Sequence, residues 1–435
     1  MPVSVAESQL FKNHRERFVK LSEPHSIAVF SSSAPATSVV EVCHPMIAVT
    51  DFYYLTGIRA PQCLLVLAPD HPDPRWREVL FVPELTQKEI VWGSDKISLT
   101  DASTVSGIDE IRPLKEAESM LAEYFGWCQQ VYLDVPEHQP ATIFEGTPGR
   151  TTELLLMQRY PVHRYLRAAP LLTKLRMIKD AAEQNLIAQA VSLTGSAFDR
   201  VLRFVRPGVI EYQVQAEIEH QFRYSGATGN AFAPIVASGK NACTLHYSCN
   251  SAKCDDGRLL LLDFGAQING YATDISRTIP INGKFTARQR QLYELVLNVQ
   301  RETISRMTVG ATLPELNKLA GKLMEKALIK TGVLDAAEVA KQDEKKPLYK
   351  KYYMHSVAHH LGIEVHDAAH KYEPLAEGMV LTCEPGMYIP EEEIGIRIED
   401  DILITNSGPV ILSAEISVNP DDIEKLMKKI TKKIN

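Results

Sequence analysis

A chain of 435 residues, 45% of them hydrophobic, is long enough for two sizeable cores, because single cores rarely grow past about 250–300 residues. Its 47 basic and 54 acidic residues leave a formal net charge of −7, which excludes the field that would gather nucleic acid or an anionic bilayer, and neither is expected as a partner. Seven cysteines, an odd number, fit a reducing compartment with idle thiols better than a disulfide framework.

Residues 1–18 carry Glu7, Lys12, Arg15, Glu16 and Arg17, so they lack the unbroken apolar stretch of a secretory signal, and no segment approaches the roughly 18 apolar residues of a membrane span. The expectation is a cytoplasmic protein. Apolar runs at 27–30, 63–68, 79–82 and 131–133 alternate with polar, periodic stretches, which predicts an α/β domain over residues 1–168. The pattern then changes, and residues 169–435 form a second, larger domain. Asp180 followed by Glu183 makes a capping-box start to a long helix with the apolar face Ile187, Val191, Phe198, Leu202 and Val205. Arg206-Pro207-Gly208 stops it. A second amphipathic helix is predicted over 211–224, then a strand near 234–237.

The segment 259–278 is the most informative. Asn269-Gly270 between two strand-like runs is a two-residue hairpin signal. If Ile268 pairs with Tyr271, Gly265 faces Asp274, and Asp263 then lies on the same face as Asp274, within about 7–8 Å. Two carboxylates side by side on a strand as apolar as Leu259-Leu260-Leu261-Leu262 are costly unless a cation sits between them. A divalent metal is the economical answer.

Downstream, His355, His359, His360 and His366 fall within twelve residues, a density that favours metal binding or proton transfer. Glu384 ends a strand-like run just before Pro385-Gly386. In Ile394-Gly395-Ile396-Arg397-Ile398-Glu399, strict alternation sends the isoleucines to one face and Arg397 with Glu399 to the other, toward a cavity or water. Asp263, Asp274, Glu384 and Glu399 with His359 suffice to neutralise two divalent cations. An oxygen-rich set with one imidazole favours a hard ion such as manganese, with cobalt or zinc as alternatives. Two such ions about 3.5–4 Å apart ionise a water between them and stabilise the tetrahedral intermediate of amide hydrolysis. The stretch 421–435, with five lysines, reads as a solvated closing helix.

These residues resemble the pita-bread metallopeptidases, and among them the aminopeptidase P group. The resemblance rests on Thr244-Leu245-His246-Tyr247, Leu262-Asp263-Phe264-Gly265 through Asp274-Ile275-Ser276-Arg277-Thr278, Ile281-Asn282-Gly283-Lys284-Phe285-Thr286, the His359 segment, Glu384-Pro385-Gly386 and Ile396-Arg397-Ile398-Glu399-Asp400-Asp401. It implies an α+β chain, a smaller N-terminal creatinase-like α/β domain preceding a catalytic pita-bread domain. It implies hydrolysis of the Xaa-Pro bond at the N-terminus of peptides by a bridging hydroxide on a dinuclear centre. Asp263, Asp274, His359, Glu384 and Glu399 become the ligands, with Asp274 and Glu399 bridging and Glu384 carrying the proton. His246 and His366 become histidines of the site, Arg397 a partner of Asp51, and Phe232, His355 and Tyr388 walls for the substrate. Trp92 resembles a tryptophan that closes the site from another subunit in some members, which implies a homo-oligomer.

Two readings compete. A prolidase shares the ligands but accepts only dipeptides, and a non-catalytic relative would use the cleft to bind a partner. Cys243, His246, Cys249 and Cys254 do not have the order or spacing of a zinc site, and Cys383 reads as a core thiol.

Overall fold

The computed structural model describes residues 5–32, 50–134 and 151–434. The chain divides into two compact units, Met1–Arg176 and Met177–Asn435.

In the first unit six strands form one mixed sheet. Their spatial order is Glu110–Pro113, Glu78–Val82, Leu64–Leu67, Ser26–Ser31, Gln130–Leu133 and Arg164–Arg167. The four inner strands coincide with the four apolar runs of the sequence. Ser26–Ser31 and Leu64–Leu67 are buried throughout, and from them Ile27, Val29, Leu64 and Val66 join Val79, Phe81 and Val131 in one core. Helix Ala117–Trp127 closes that core with Met120, Leu121, Tyr124 and Phe125. The edge strands Glu110–Pro113 and Arg164–Arg167 carry charge and stay partly exposed, which blunts the sheet's open hydrogen bonds and erases the apolar pattern that would have marked them.

In the second unit the helices Ala181–Phe204 and Glu211–Tyr224 pack together, as do Ala287–Ile304 and Leu313–Lys330. Asp180 caps the first as expected: its side chain accepts from the N–H groups of Ala182 and Glu183, and the face from Ile187 to Leu202 is buried. Thr286 and Thr312 open two further helices with the same reciprocal box. The strands are antiparallel. Leu259–Phe264 lies between Ile235–Ser238 and Ile275–Pro280, Asp400–Thr405 lies between Val380–Cys383 and Gly408–Ile411, and Gly386–Ile389 pairs with Ile394–Arg397. Helices around antiparallel sheets make the α+β architecture that the sequence implied. The closing helix Pro420–Ile434 is less solvated than expected, since Ile423 and Met427 are buried and Arg290 grips Asp421 and Glu424. Among the described residues no helix is long and apolar enough to cross a membrane.

Candidate metal centre

The hairpin holds the register that the sequence predicts. Ile268 faces Tyr271, and on the far side of Gly265 Phe264 faces Ile275 and Asp263 faces Ser276. The same pairing continues through the break, so Gly265 lies across from Asp274. Asn269 and Gly270 have φ of 47° and 87°, both in the left-handed region that a tight hairpin of this hand requires. A Cβ on Gly265 would stand 1.7 Å from the carbonyl oxygen of Thr273, so only glycine lets the strands close here. Leu259–Phe264 is buried on both faces, which commits Asp263 to the interior.

Around this pair the fold gathers the other three candidates. Ligand atoms of Asp274, His359 and Glu399 lie within 4.8 Å of one another. His359 Nε2 is 3.5 Å from Asp274 Oδ2 and 3.7 Å from Glu384 Oε1, too far for hydrogen bonds. Its Nδ1 lies 3.1 Å from the carbonyl oxygen of His360, which only accepts, so Nδ1 carries a proton and in the neutral ring the Nε2 lone pair faces the carboxylates. Lone pair against anion is repulsive unless a cation lies between them. Glu384 follows strand Val380–Cys383, with its N–H donating to Val357 O at 2.8 Å, and Glu399 accepts from Ser276 Oγ at 2.8 Å.

The charges tell the same story. Burial, then the charges of Asp263, Glu384 and Asp401, push the Asp274 carboxyl well above the ordinary range. Burial, then Asp274, Glu384 and Asp263, do the same to Glu399. Glu384 is pushed up to about 7, chiefly by burial, with His359 and Arg397 pulling the other way. Asp263 Oδ1 and Asp274 Oδ1 are buried with no hydrogen-bond partner among the described residues. Three carboxyls held high by burial and by one another, two orphaned oxygens and one imidazole nitrogen turned toward them fit divalent cations.

Behind the ligands runs a polar relay. Arg397 donates through Nη2 to Asp263 at 2.6 Å, through Nε to Ser276 Oγ at 2.8 Å and through Nη1 to Tyr388 Oη at 3.0 Å. Tyr388 Oη in turn donates to His355 Nε2 at 2.8 Å, while His355 Nδ1 donates to Ser356 O at 2.8 Å and stands 3.5 Å from Glu384 Oε2. Burial and the Arg397 charge lower the His355 pKa to about 4, so its ring is neutral near pH 7. Tyr388 is fully buried behind Arg397 and is not a wall of the cleft, in contrast to expectation. The charged face of Arg397 and Glu399 meets this network and the cleft that both residues line.

In front lies a cleft of about 490 Å³ lined by Leu245, His246, His355, His359, His366 and the carboxylates, among others. The His359 and His366 rings meet edge to face at 4.3 Å between centroids, and burial with the neighbouring His359 and His246 lowers the His366 pKa. Phe232 is half-buried and is not among the lining residues. Both members of the implied Asp51–Arg397 pair have other partners: Asp51 accepts from Arg176 at 2.8 Å, and Arg397 is engaged as above. Trp92 ends the short helix Gln87–Trp92 and is exposed. Cys383 is buried, which pushes its thiol well above the usual range and suits a core residue.

Residues with no role assigned from sequence also build the site. Ser276 joins Arg397 to Glu399, and Asp401 accepts from Thr273 Oγ1 and the Asp274 N–H. Lys179 forms a buried pair at 3.0 Å with Asp367, the residue after His366. Ser276 and Asp401 stand two residues from Asp274 and Glu399, inside the motifs that carry the resemblance, which was the signal that could have found them.

Comparison with known proteins agrees with this geometry. The profile of metallopeptidase family M24 matches residues 185–406, and that of the aminopeptidase P N-terminal domain matches residues 11–132. The Xaa-Pro aminopeptidase of Escherichia coli (strain K12) is 32% identical over 98% of this chain and 99% of its own length. Human Xaa-Pro aminopeptidase 3 is 32% identical over 86% of this chain and 76% of its own. The structure of E. coli aminopeptidase P with the inhibitor Pro-Leu superimposes with a TM-score of 0.85 at 30% identity, covering 99% of this chain and 100% of that one. Pseudomonas aeruginosa aminopeptidase PepP gives 0.88 at 29% identity, covering 98% and 99%.

Proposed function

The chain belongs to metallopeptidase family M24, and from that premise we propose that it removes the first residue of peptides whose second residue is proline. In this reading Asp263, Asp274, His359, Glu384 and Glu399 would hold the metal ions. The observation that carries it is the His359 Nε2 lone pair aimed at the carboxylates of Asp274 and Glu384, at 3.5 and 3.7 Å, inside a cluster whose carboxyls burial holds up.

Divalent ions bound there supply Lewis-acid polarisation of the scissile carbonyl and a lowered pKa for water. Glu384, on the carboxylate side of the cleft, would take a proton from the attacking water and deliver it to the leaving imide nitrogen. His246 and His366, on the open wall of the cleft, donate to the carbonyl oxygen as it gains charge and flank the proline. Neutral His355, anchored by Tyr388 and Arg397, steadies the Glu384 side of the pocket. An Xaa-Pro bond has no N–H for a peptidase to grip, so a preformed pocket for the rigid ring must supply the recognition instead.

The oxygen-rich donor set with one imidazole supports manganese as the ion. The exposed side chains of Ile90, Val91 and Trp92 support a homo-oligomer in which this helix meets another subunit. Free thiols at all six described cysteines support the cytoplasm as its compartment. Residues 169–435 are the catalytic domain in this reading, and residues 1–168 the smaller N-terminal one. Relatives named Xaa-Pro aminopeptidase support this reading over a prolidase. Cleavage of an Xaa-Pro-Xaa tripeptide tests the point: turnover of the tripeptide supports the reading, and turnover of the Xaa-Pro dipeptide alone replaces it with prolidase.

A further inference from the structure

Glu211 is a fully buried carboxylate, on the first turn of helix Glu211–Tyr224, with no ion pair among the described residues. Five donors satisfy it instead. Oε1 accepts from the Ser238 N–H at 2.7 Å, Ser238 Oγ at 2.8 Å and Asn241 Nδ2 at 3.2 Å. Oε2 accepts from Tyr247 Oη at 2.7 Å and the Ala252 N–H at 2.8 Å. All five come from one stretch of chain, residues 238–252. After the 3-10 turn Gly239–Cys243 that stretch contains no strand or helix, yet it carries Leu245 and His246 on the cleft wall.

The donors are distributed to fix that stretch at its start, at its end, and at Tyr247, the residue after His246. One helical turn beyond Glu211, Gln215 Oε1 accepts from Asn250 Nδ2 at 2.8 Å. Asn250 also accepts from the Val236 N–H at 2.9 Å and has a left-handed φ of 43°. One helix face thus holds an irregular loop from both sides, and charge-assisted hydrogen bonds are the strongest available for this.

We infer that Glu211 is the positioning residue for His246: its carboxylate fixes the 238–252 loop so that the imidazole stands at the cleft wall. The inference rests on the reading of His246 as a histidine that acts on substrate. Glutamine is the informative replacement, because it keeps the size but turns one oxygen into an NH2 group. Whichever way the amide lies, that group meets a backbone N–H, of Ser238 or of Ala252, donor to donor.

The test is a double-mutant cycle on the full-length, manganese-loaded protein, with tripeptide kcat and KM, bound metal and melting temperature measured for each variant. Glu211→Gln is expected to lower kcat/KM by about 20-fold with the metal content kept, and to cost less than about 2-fold when added to His246→Ala. An equal loss in both backgrounds, or none in the wild type, overturns the positioning role and leaves the reading of His246 intact. A His246→Ala protein with full activity overturns that reading, and the inference with it. If Glu211→Gln loses its fold or its metal, Tyr247→Phe, which removes one donor, decides the matter in the same cycle: its loss must vanish in the His246→Ala background, and a loss that persists there overturns the inference.

Discussion

At the level of single residues the chemistry is set by crowded carboxylates. Burial holds the Glu384 carboxyl at about 7 in the folded protein against 4.5 for an ordinary glutamate. Between those values the metal-free folded chain binds more protons than the unfolded one, so its stability is fullest below the lower value and falls as pH rises through the upper one. For this group alone the loss is about 3 kcal/mol. Chelator-treated protein should therefore melt at a lower temperature at about pH 8 than at about pH 5, and added divalent cation should raise the melting point more at the higher pH. A metal-free melting point that climbs steadily with pH over that range would contradict the prediction. Tyr388 offers a second prediction. Tyr388→Phe removes the hydroxyl between Arg397 and His355, and should lower kcat by about 10-fold while leaving the bound metal in place. Loss of metal in that variant would mean that the relay supports the ligands rather than His355. The proposed ligands could be picked out in the sequence because each sits in a short motif with its own local geometry. Tyr388 was misjudged as a cleft wall because its burial depends on Arg397, and Ser276 was passed over because its partners lie more than 100 residues away.

At the level of elements the hairpin carries the site. The Asn269-Gly270 turn fixes the register, and the register alone puts Asp263 and Asp274 on one face. Gly265→Ala places a methyl group inside the van der Waals radius of Thr273 O, and should cost about 3 kcal/mol or more and abolish metal binding. Thermal unfolding and metal analysis would check it, and a stable variant with full metal would show that the strands can part there without loss. Strong periodicity was readable: the helix Ala181–Phe204, the helix Glu211–Tyr224 and the inner strands of the first unit all lie where apolar spacing put them. The alternation from Ile394 to Glu399 was readable as well, but strand Ile394–Arg397 stops two residues short of Glu399, where the chain passes from one hairpin into the next sheet. That crossing has no local signature. The edge strands were invisible because protecting an edge with charge removes the pattern by which a strand is recognised.

At the level of the whole molecule, the alternating strands and helices of the first unit followed from the spacing of its apolar runs, whereas the fold of the second unit and the proposed oligomer were implied only by the resemblance. Ile90, Val91 and Trp92 are 59%, 78% and 81% exposed, a cost in water that a subunit interface would remove. Replacing Val91 and Trp92 by glutamate should shift the protein to a smaller species in sedimentation velocity, and an unchanged sedimentation coefficient would place the interface elsewhere. The most direct measurement is release of the N-terminal residue from an Arg-Pro-Pro peptide by metal-stripped protein, before and after manganese is restored, with Asp274→Ala alongside. Release that needs both manganese and Asp274, falling by about 1,000-fold or more without either, is the predicted result. Release that survives in Asp274→Ala, or no release from a protein that has taken up its metal, would contradict the assignment of this cleft as a metal-dependent Xaa-Pro aminopeptidase site.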